Sequence, residues 1–214
     1  MDSSQVNGMV YGTVYLNPQP PVLKTYNQIT WQFNKTQKIL TKERYKKVVF
    51  FNTSLENKLH YYENHTLEIN QLQKQDSSTY LLVVEDSQGR ESTSFIQLSV
   101  YEPVPKPSVN ATNTNKKNGL CTATLECTVD ATPVTYKWLK DGKDDVGENT
   151  GKLNVELKSD SNASYESKDM LHTCLVRNPV SQRSKTISIG DYCGKFLSPP
   201  PWDKAVKLKG TIVQ

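Results

Sequence analysis

Short runs of alternating polar and apolar residues, each closed by a turn cluster, recur at intervals of about ten residues along this chain and leave little room for helices. Gln28-Ile29-Thr30-Trp31-Gln32-Phe33 is the clearest run. A period of two places Ile29, Trp31 and Phe33 on one face of a strand. Further strands are predicted at Thr13–Leu16, Lys38–Leu40, Val48–Phe51, Thr66–Ile69, Tyr80–Glu85 and Phe95–Tyr101. Asn17-Pro18-Gln19-Pro20-Pro21, Asp76-Ser77-Ser78 and Asp86-Ser87-Gln88-Gly89 supply turns between them. Abundant Thr, Ser and Val with scarce Ala agree with an all-β chain.

Three prolines within Tyr101-Glu102-Pro103-Val104-Pro105-Lys106-Pro107 break both helix and ladder pairing, so this segment reads as a stiff connector. Alternation resumes at Ala123–Val129, Thr135–Lys140, Lys152–Leu157, Leu171–Arg177 and Lys185–Ile189. The 214 residues therefore divide into a domain over 1–102, a second over 103–193 and a flexible tail over 194–214. A net charge of +4 with 22% charged residues fits neither a nucleic-acid binder nor an acidic disordered chain. No apolar run is long enough for a transmembrane helix. Met1-Asp2-Ser3-Ser4-Gln5 has no signal-peptide character and Ala205 to Gln214 is too polar for an anchor-attachment tail, so the expectation is a trimmed or soluble ectodomain.

All four cysteines, Cys121, Cys127, Cys174 and Cys193, lie in the second half, and none forms a Cys-x-x-Cys pair that would suit zinc. Disulfides are the simpler reading, and spacing alone leaves three connectivities open. Sequons for N-glycosylation begin at Asn34, Asn52, Asn64, Asn110 and Asn162, where chance predicts about three. Together with an even cysteine count, they point to an extracellular protein, secreted or at the cell surface.

Cys127 precedes Trp138 by 11 residues and Cys174 by 47, which resembles the core of an immunoglobulin sandwich: a cysteine on each sheet and a tryptophan packed on their bridge. That resemblance implies Cys127–Cys174 and leaves Cys121 for Cys193. His172 stands where a tyrosine usually precedes the second cysteine. The short interval from Trp138 suits a constant-type strand set. The first half carries the same plan without cysteines. Trp31 takes the core position, Leu16 and Leu82 stand at the two cysteine positions, and Asp76-Ser77-Ser78-Thr79-Tyr80 matches the tyrosine corner. Between Trp31 and Leu67 there is room for the extra edge strands of a variable-type domain.

A cysteine-free variable-type domain, a proline-rich connector and a constant-type domain with two disulfides resemble the SLAM family of lymphocyte receptors and its adhesion relatives. The most specific pieces are Tyr26-Asn27-Gln28-Ile29-Thr30-Trp31, Gln73 to Tyr80, Glu102 to Pro107, Leu125-Glu126-Cys127, Asn178-Pro179-Val180-Ser181 and Leu197-Ser198-Pro199-Pro200. The resemblance implies an extracellular ligand that binds a SLAM-family receptor on natural killer cells or lymphocytes, with a weak homodimer through the same face as a further expectation. It needs no cofactor. In the tail, Pro201-Trp202-Asp203 departs from the family pattern, which suits an alternative: a virally captured, soluble decoy masking that receptor.

The implied binding face is one sheet of the first domain. If Trp31 points inward, Thr30 and Gln32 point outward; if Leu82 and Val84 are core, Leu81, Val83 and Glu85 face out. Leu40 adds to this face, and Lys38, Lys42, Arg44, Lys46 and Lys47 give it a basic edge, although residues 1–102 balance at ten basic and ten acidic. Arg90 lies in the acidic loop beside Glu85, and charges separated in this way select a partner's orientation. Asn34 puts a sugar beside this face. A sialic-acid lectin of this fold needs an arginine on the Tyr80–Glu85 strand, and Leu81-Leu82-Val83-Val84 has none. Scattered His60, His65 and His172, with no phosphate loop or nucleophile elbow, give no catalytic constellation.

Overall fold

The computed structural model describes residues 3–22, 25–118, 120–144, 149–158 and 171–193; the expected tail and the sequon at Asn162 lie outside the described residues. The chain divides into two compact units, one of Met1–Val104 with Arg177–Gln182 and the other of Pro105–Val176 with Arg183 onward.

In the first unit the strands are β1 (Ser3–Met9), β2 (Val14–Leu16), β3 (Tyr26–Phe33), β4 (Gln37–Glu43), β5 (Val49–Phe50), β6 (Leu59–Tyr61), β7 (Leu67–Ile69), β8 (Ser78–Asp86) and β9 (Glu91–Tyr101). They form a six-stranded sheet, β1-β9-β8-β3-β4-β5, and a three-stranded sheet, β2-β7-β6. All seven expected strands are present, and β1 and β6 are additional. β1 runs parallel to β9, and its buried position is Gly8. A Cβ there would lie 2.5 Å from Leu72 Cδ1 and 2.9 Å from Val14 Cγ1, so only glycine lets the strand come this close.

The core of this unit joins Leu16, Leu67 and Ile69 of the smaller sheet to Ile29, Trp31, Leu40, Tyr80, Leu82 and Ile96 of the larger. Leu16 and Leu82, on opposite sheets, are 0% and 1% exposed, so two leucines fill by packing the place of an intersheet disulfide. The Tyr80 hydroxyl donates to the Asp76 carbonyl at 2.9 Å, which makes the tyrosine corner. The Asp76 carboxylate accepts the Gln73 N–H at 2.8 Å and pairs with Lys58 Nζ at 3.0 Å, with the Asp76 side chain 2% exposed.

In the second unit the strands are β10 (Ser108–Lys117), β11 (Leu120–Thr128), β12 (Thr135–Lys140), β13 (Lys143–Asp144), β14 (Lys152–Lys158), β15 (Leu171–Arg177) and β16 (Gln182–Ser188). The sheets are β10-β11-β14 and β13-β12-β15-β16. β10 and β13 add to the five strands expected there. Cys121, Ala123, Leu125 and Cys127 of β11 are buried in strict alternation. Cys127 bonds to Cys174 of β15 with Cα atoms 6.4 Å apart, and Cys121 bonds to Cys193 with Cα atoms 5.9 Å apart. Trp138 is 1% exposed, and His172 is buried at the position expected for tyrosine. The structure is all-β in two immunoglobulin-like sandwiches, the first without a disulfide and the second with two. No helix among the described residues is long and apolar enough to cross a membrane.

Candidate functional site

The candidate face is the outer side of the six-stranded sheet. Pairing of β3 with β8 sets Trp31 opposite Leu82 and Ile29 opposite Val84, all inward. Between them, three outward rows are built from Gln28 and Glu85, Thr30 and Val83, and Gln32 and Leu81. β9 extends these rows with Glu91, Thr93 and Phe95. Gln32, Val83 and Glu85 are half-buried, as outward residues of a central strand pair usually are.

Thr30 and Leu81 depart from the expectation of accessibility, at 8% exposure each. Thr30 is flanked by Thr41 and Val83, and Leu81 by Gln32 and Phe95, so these neighbours cover both on the crowded centre of the face. Leu40 departs further, being fully buried. The pairing of β3 with β4 shifts between Trp31 and Gln32: Trp31 faces Leu40 while Gln32 faces Lys38, leaving Ile39 as the extra residue of a bulge. A bulge breaks the two-residue period, so Ile39 and Leu40 both enter the core and every later residue of β4 changes side. Lys42 therefore lies opposite Ile29 on the core side, half-buried, and its Nζ donates to the Lys46 carbonyl.

The remaining basic residues stay at the edge. Lys38, Lys46 and Lys47 are exposed, and Lys46 pairs with Glu43. The half-buried Arg44 holds its guanidinium 4.9 Å from the centroid of the Tyr45 ring, a cation–π distance. Across the sheet, in the β8–β9 turn, Arg90 is exposed and donates from Nε to Asp86 at 2.8 Å. The Arg90 backbone and guanidinium, with the Gln88 N–H, hold the Asp86 carboxyl below its ordinary range. Asn27 Nδ2 donates to Glu85 at 3.4 Å.

Four exposed apolar side chains that the sequence does not single out follow on the same edge: Tyr45 at 88%, Val49 at 54%, Phe50 at 39% and Phe51 at 37% exposure, with Phe50 paired with Leu40 and so on the core side of the edge. Val49 pairs with Thr41 and so continues the outward row through Thr30. Val48-Val49-Phe50-Phe51 looks like a core strand by composition. Only its position at the sheet edge leaves it open, which the alternation rule does not report. Asn34, in the β3–β4 turn, is exposed, as are Asn52, Asn64 and Asn110.

In the turn between β6 and β7, His65 sits against Tyr26, with ring centroids 4.9 Å apart, and its Nδ1 is 2.5 Å from the Tyr61 hydroxyl. Its carbonyl accepts the Trp31 indole N–H at 3.3 Å. Burial lowers the imidazole pKa below its ordinary value; Glu63 opposes that shift and Lys42 adds to it.

Comparison with known proteins gives the geometry its context. No family model matches the chain. Human CD48 antigen is 28% identical over 187 residues, covering 84% of this chain and 72% of that protein. The human natural killer cell receptor 2B4 is 30% identical over 138 residues, covering 61% of this chain and 35% of the receptor. Mouse SLAM family member 6 is 23% identical over 218 residues, covering 99% of this chain and 60% of its own length. The chain thus spans under two thirds of these last two relatives. Among solved structures, murine CEACAM1b superposes with a TM-score of 0.65 at 19% identity over 87% of this chain and 97% of its own, which shows the fold. The sequence relatives are SLAM-family and CD48-like immunoglobulin proteins of adhesion and recognition rather than enzymes; this chain is similar to them in sequence and has the immunoglobulin fold.

Proposed function

We propose that the chain is an extracellular immune-recognition ligand that engages a SLAM-family receptor on natural killer cells or lymphocytes through the outer face of its first unit. The observation that carries the reading is the edge of that face, where exposed Tyr45, Val49 and Phe51 are found on the same edge segment as Lys46 and Lys47, with exposed Lys38 further along β4. An apolar centre with a polar rim is the usual anatomy of a protein–protein contact. Acidic Glu85, Asp86 and Glu91 lie across the sheet, on β8 and β9, from the basic β4–β5 edge, which favours one orientation of the partner. Relatives that include a natural killer cell receptor support the class of partner.

The test is surface plasmon resonance of the full chain against a panel of SLAM-family receptors, and against itself for the homodimer. Charge reversal at Lys38 or Lys47 is expected to weaken receptor binding about tenfold each, the scale of one lost rim pairing plus one new repulsion, about 1.4 kcal/mol. Val49→Asp is expected to weaken it more, by placing a charge in the apolar centre. Absence of binding across the panel refutes the reading. A soluble form acts through the same contact as a mask, and competition with the receptor's own ligand measures that outcome.

A further inference from the structure

The smaller sheet of the first unit carries a second exposed cluster, on the side away from the recognition face. Its outer row is Tyr15 of β2, Glu68 of β7 and His60 of β6. Tyr62, just past β6, lays its ring 6.3 Å from that of Tyr15 and 4.6 Å from that of His60. Tyr15 is 51% exposed and Tyr62 37%. Tyr62, Glu68, Asn70 and Thr13 are linked by hydrogen bonds. The Tyr62 hydroxyl donates to Glu68, and Asn70 Nδ2 donates to the other Glu68 oxygen at 2.6 Å. Thr13 Oγ1 then donates to Asn70 Oδ1 at 2.6 Å. Tyr62 is therefore held in place by its hydroxyl while part of its ring stays open to solvent.

The turn that follows Tyr62 contains the sequon Asn64-His65-Thr66. It is closed by the Tyr62 N–H to the Thr66 carbonyl at 3.0 Å and the His65 N–H to the Tyr62 carbonyl at 2.8 Å, with His65 at φ 70°. Tyr62 and Thr66 are thus cross-strand partners, and Asn64 stands at the tip between them. Asn64 is exposed, and its Oδ1 accepts the Thr66 N–H at 3.2 Å. That bond engages the amide oxygen and leaves Nδ2 as the atom free to carry a substituent.

We propose that an N-linked glycan on Asn64 is the occupant of this patch, with its first N-acetylglucosamine packed on the Tyr62 ring. Attachment joins Asn64 Nδ2 to the anomeric carbon of the sugar; the lipid diphosphate of the donor oligosaccharide leaves, and the amide gives up one proton. A pyranose presents C–H bonds on one face, and a fixed aromatic ring receives such a face at little cost in ordering. The ring that the turn places beside Asn64 is also the one whose hydroxyl Glu68 holds. The glycan then covers exposed apolar surface on the unit that lacks a disulfide, and it does so on the sheet opposite the recognition face. This inference does not depend on the receptor reading.

The test uses the full chain secreted from mammalian cells, glycopeptide mass spectrometry for occupancy, and calorimetry for the melting of the first unit. Asn64→Asp keeps the Oδ1 acceptor but cannot be glycosylated. It is expected to lower Tm by about 4–8 °C, the shift that a contact of aromatic-stacking strength gives in a domain of this size. With Tyr62→Ala as background, the same substitution is expected to cost less than half of that. With Tyr62→Phe, which keeps the ring and loses the hydroxyl, the full cost is expected to remain. An unoccupied Asn64, or additive losses from Asn64→Asp and Tyr62→Ala, overturns the proposal.

Discussion

Lys58→Met tests the internal support of the first unit. Lys58 Nζ lies 3.0 Å and 3.3 Å from the two oxygens of Asp76, with the lysine side chain 13% exposed and the carboxylate 2%. Methionine preserves the apolar stem that lysine threads through the protein and removes only the charge. The carboxylate is then left with the Gln73 N–H as its remaining hydrogen-bond donor among the contacts described above. Removing one partner of a buried pair costs about 3–5 kcal/mol, because the surviving charge stays desolvated. Since Lys58 keeps some contact with solvent, the lower end applies. About 3 kcal/mol corresponds to about 12–24 °C in Tm for a domain of this size. Calorimetry and guanidinium titration of the full chain measure it, with the disulfide-bonded second unit as an internal reference. The double variant Lys58→Met, Asp76→Asn removes both charges and is expected to recover part of the loss. A cost below about 1 kcal/mol, or one that vanishes at high salt, is the behaviour of a surface pair and refutes the reasoning.

Two further outcomes follow from the same unit. Leu16→Ala and Leu82→Ala are each expected to destabilise it by about 2–5 kcal/mol, read from denaturant midpoints, because each empties a site that is 0% or 1% exposed in the shared core. His65, with its pKa lowered by burial, makes the first unit lose stability as pH falls from the ordinary value of about 6.5 through the depressed folded value, since the unfolded chain binds the proton more readily in that window. His65→Asn, which tolerates the positive φ, is expected to flatten the dependence of Tm on pH over that interval; an unchanged slope assigns the effect elsewhere.

The strands that the sequence announces are those whose core side chains recur at every second residue. Ile29 and Trp31, Tyr80 and Leu82, Leu125 and Cys127, and Cys174 and Val176 are spaced by two and are all buried. β1 carries little sequence signal because its partner β9 lies some ninety residues away and, of its residues, Val6 and Gly8 turn inward, with the buried position a glycine. The binding face was legible in outline and displaced in detail for one local reason. Ile39 is an extra residue opposite the Trp31–Gln32 step, so Leu40 and Lys42 lie on the core side while the parity count places them outside. Nothing in Lys38-Ile39-Leu40-Thr41 distinguishes a bulge from a regular strand, because both leave an apolar pair in mid-strand. The exposed aromatics fail in the opposite sense: Phe50 and Phe51 carry core chemistry at a sheet edge, and edge position is a property of topology.

The two units solve one problem by different means, and the difference bears on where change is tolerated. In the second, a covalent bridge beneath Trp138 closes a loop of 47 residues, and such a cross-link acts mainly by restricting the unfolded chain. Its contribution persists when neighbouring packing is altered. In the first, the same span is secured by Leu16 against Leu82, the Tyr80 corner and the Lys58–Asp76 pair, all of which act in the folded state and share neighbours. Losses among them are therefore coupled rather than additive. The outward rows through Thr30 and Gln32 alternate with these core positions, so a substitution at the face acts on stability through the strands that hold it. Basic and apolar residues concentrated on β5 and on the turn before it lie furthest from the corner and the buried pair in the strand order. There the sequence of the face is free to change without cost to the core, and there Tyr45, Lys46, Lys47 and Val49 are found.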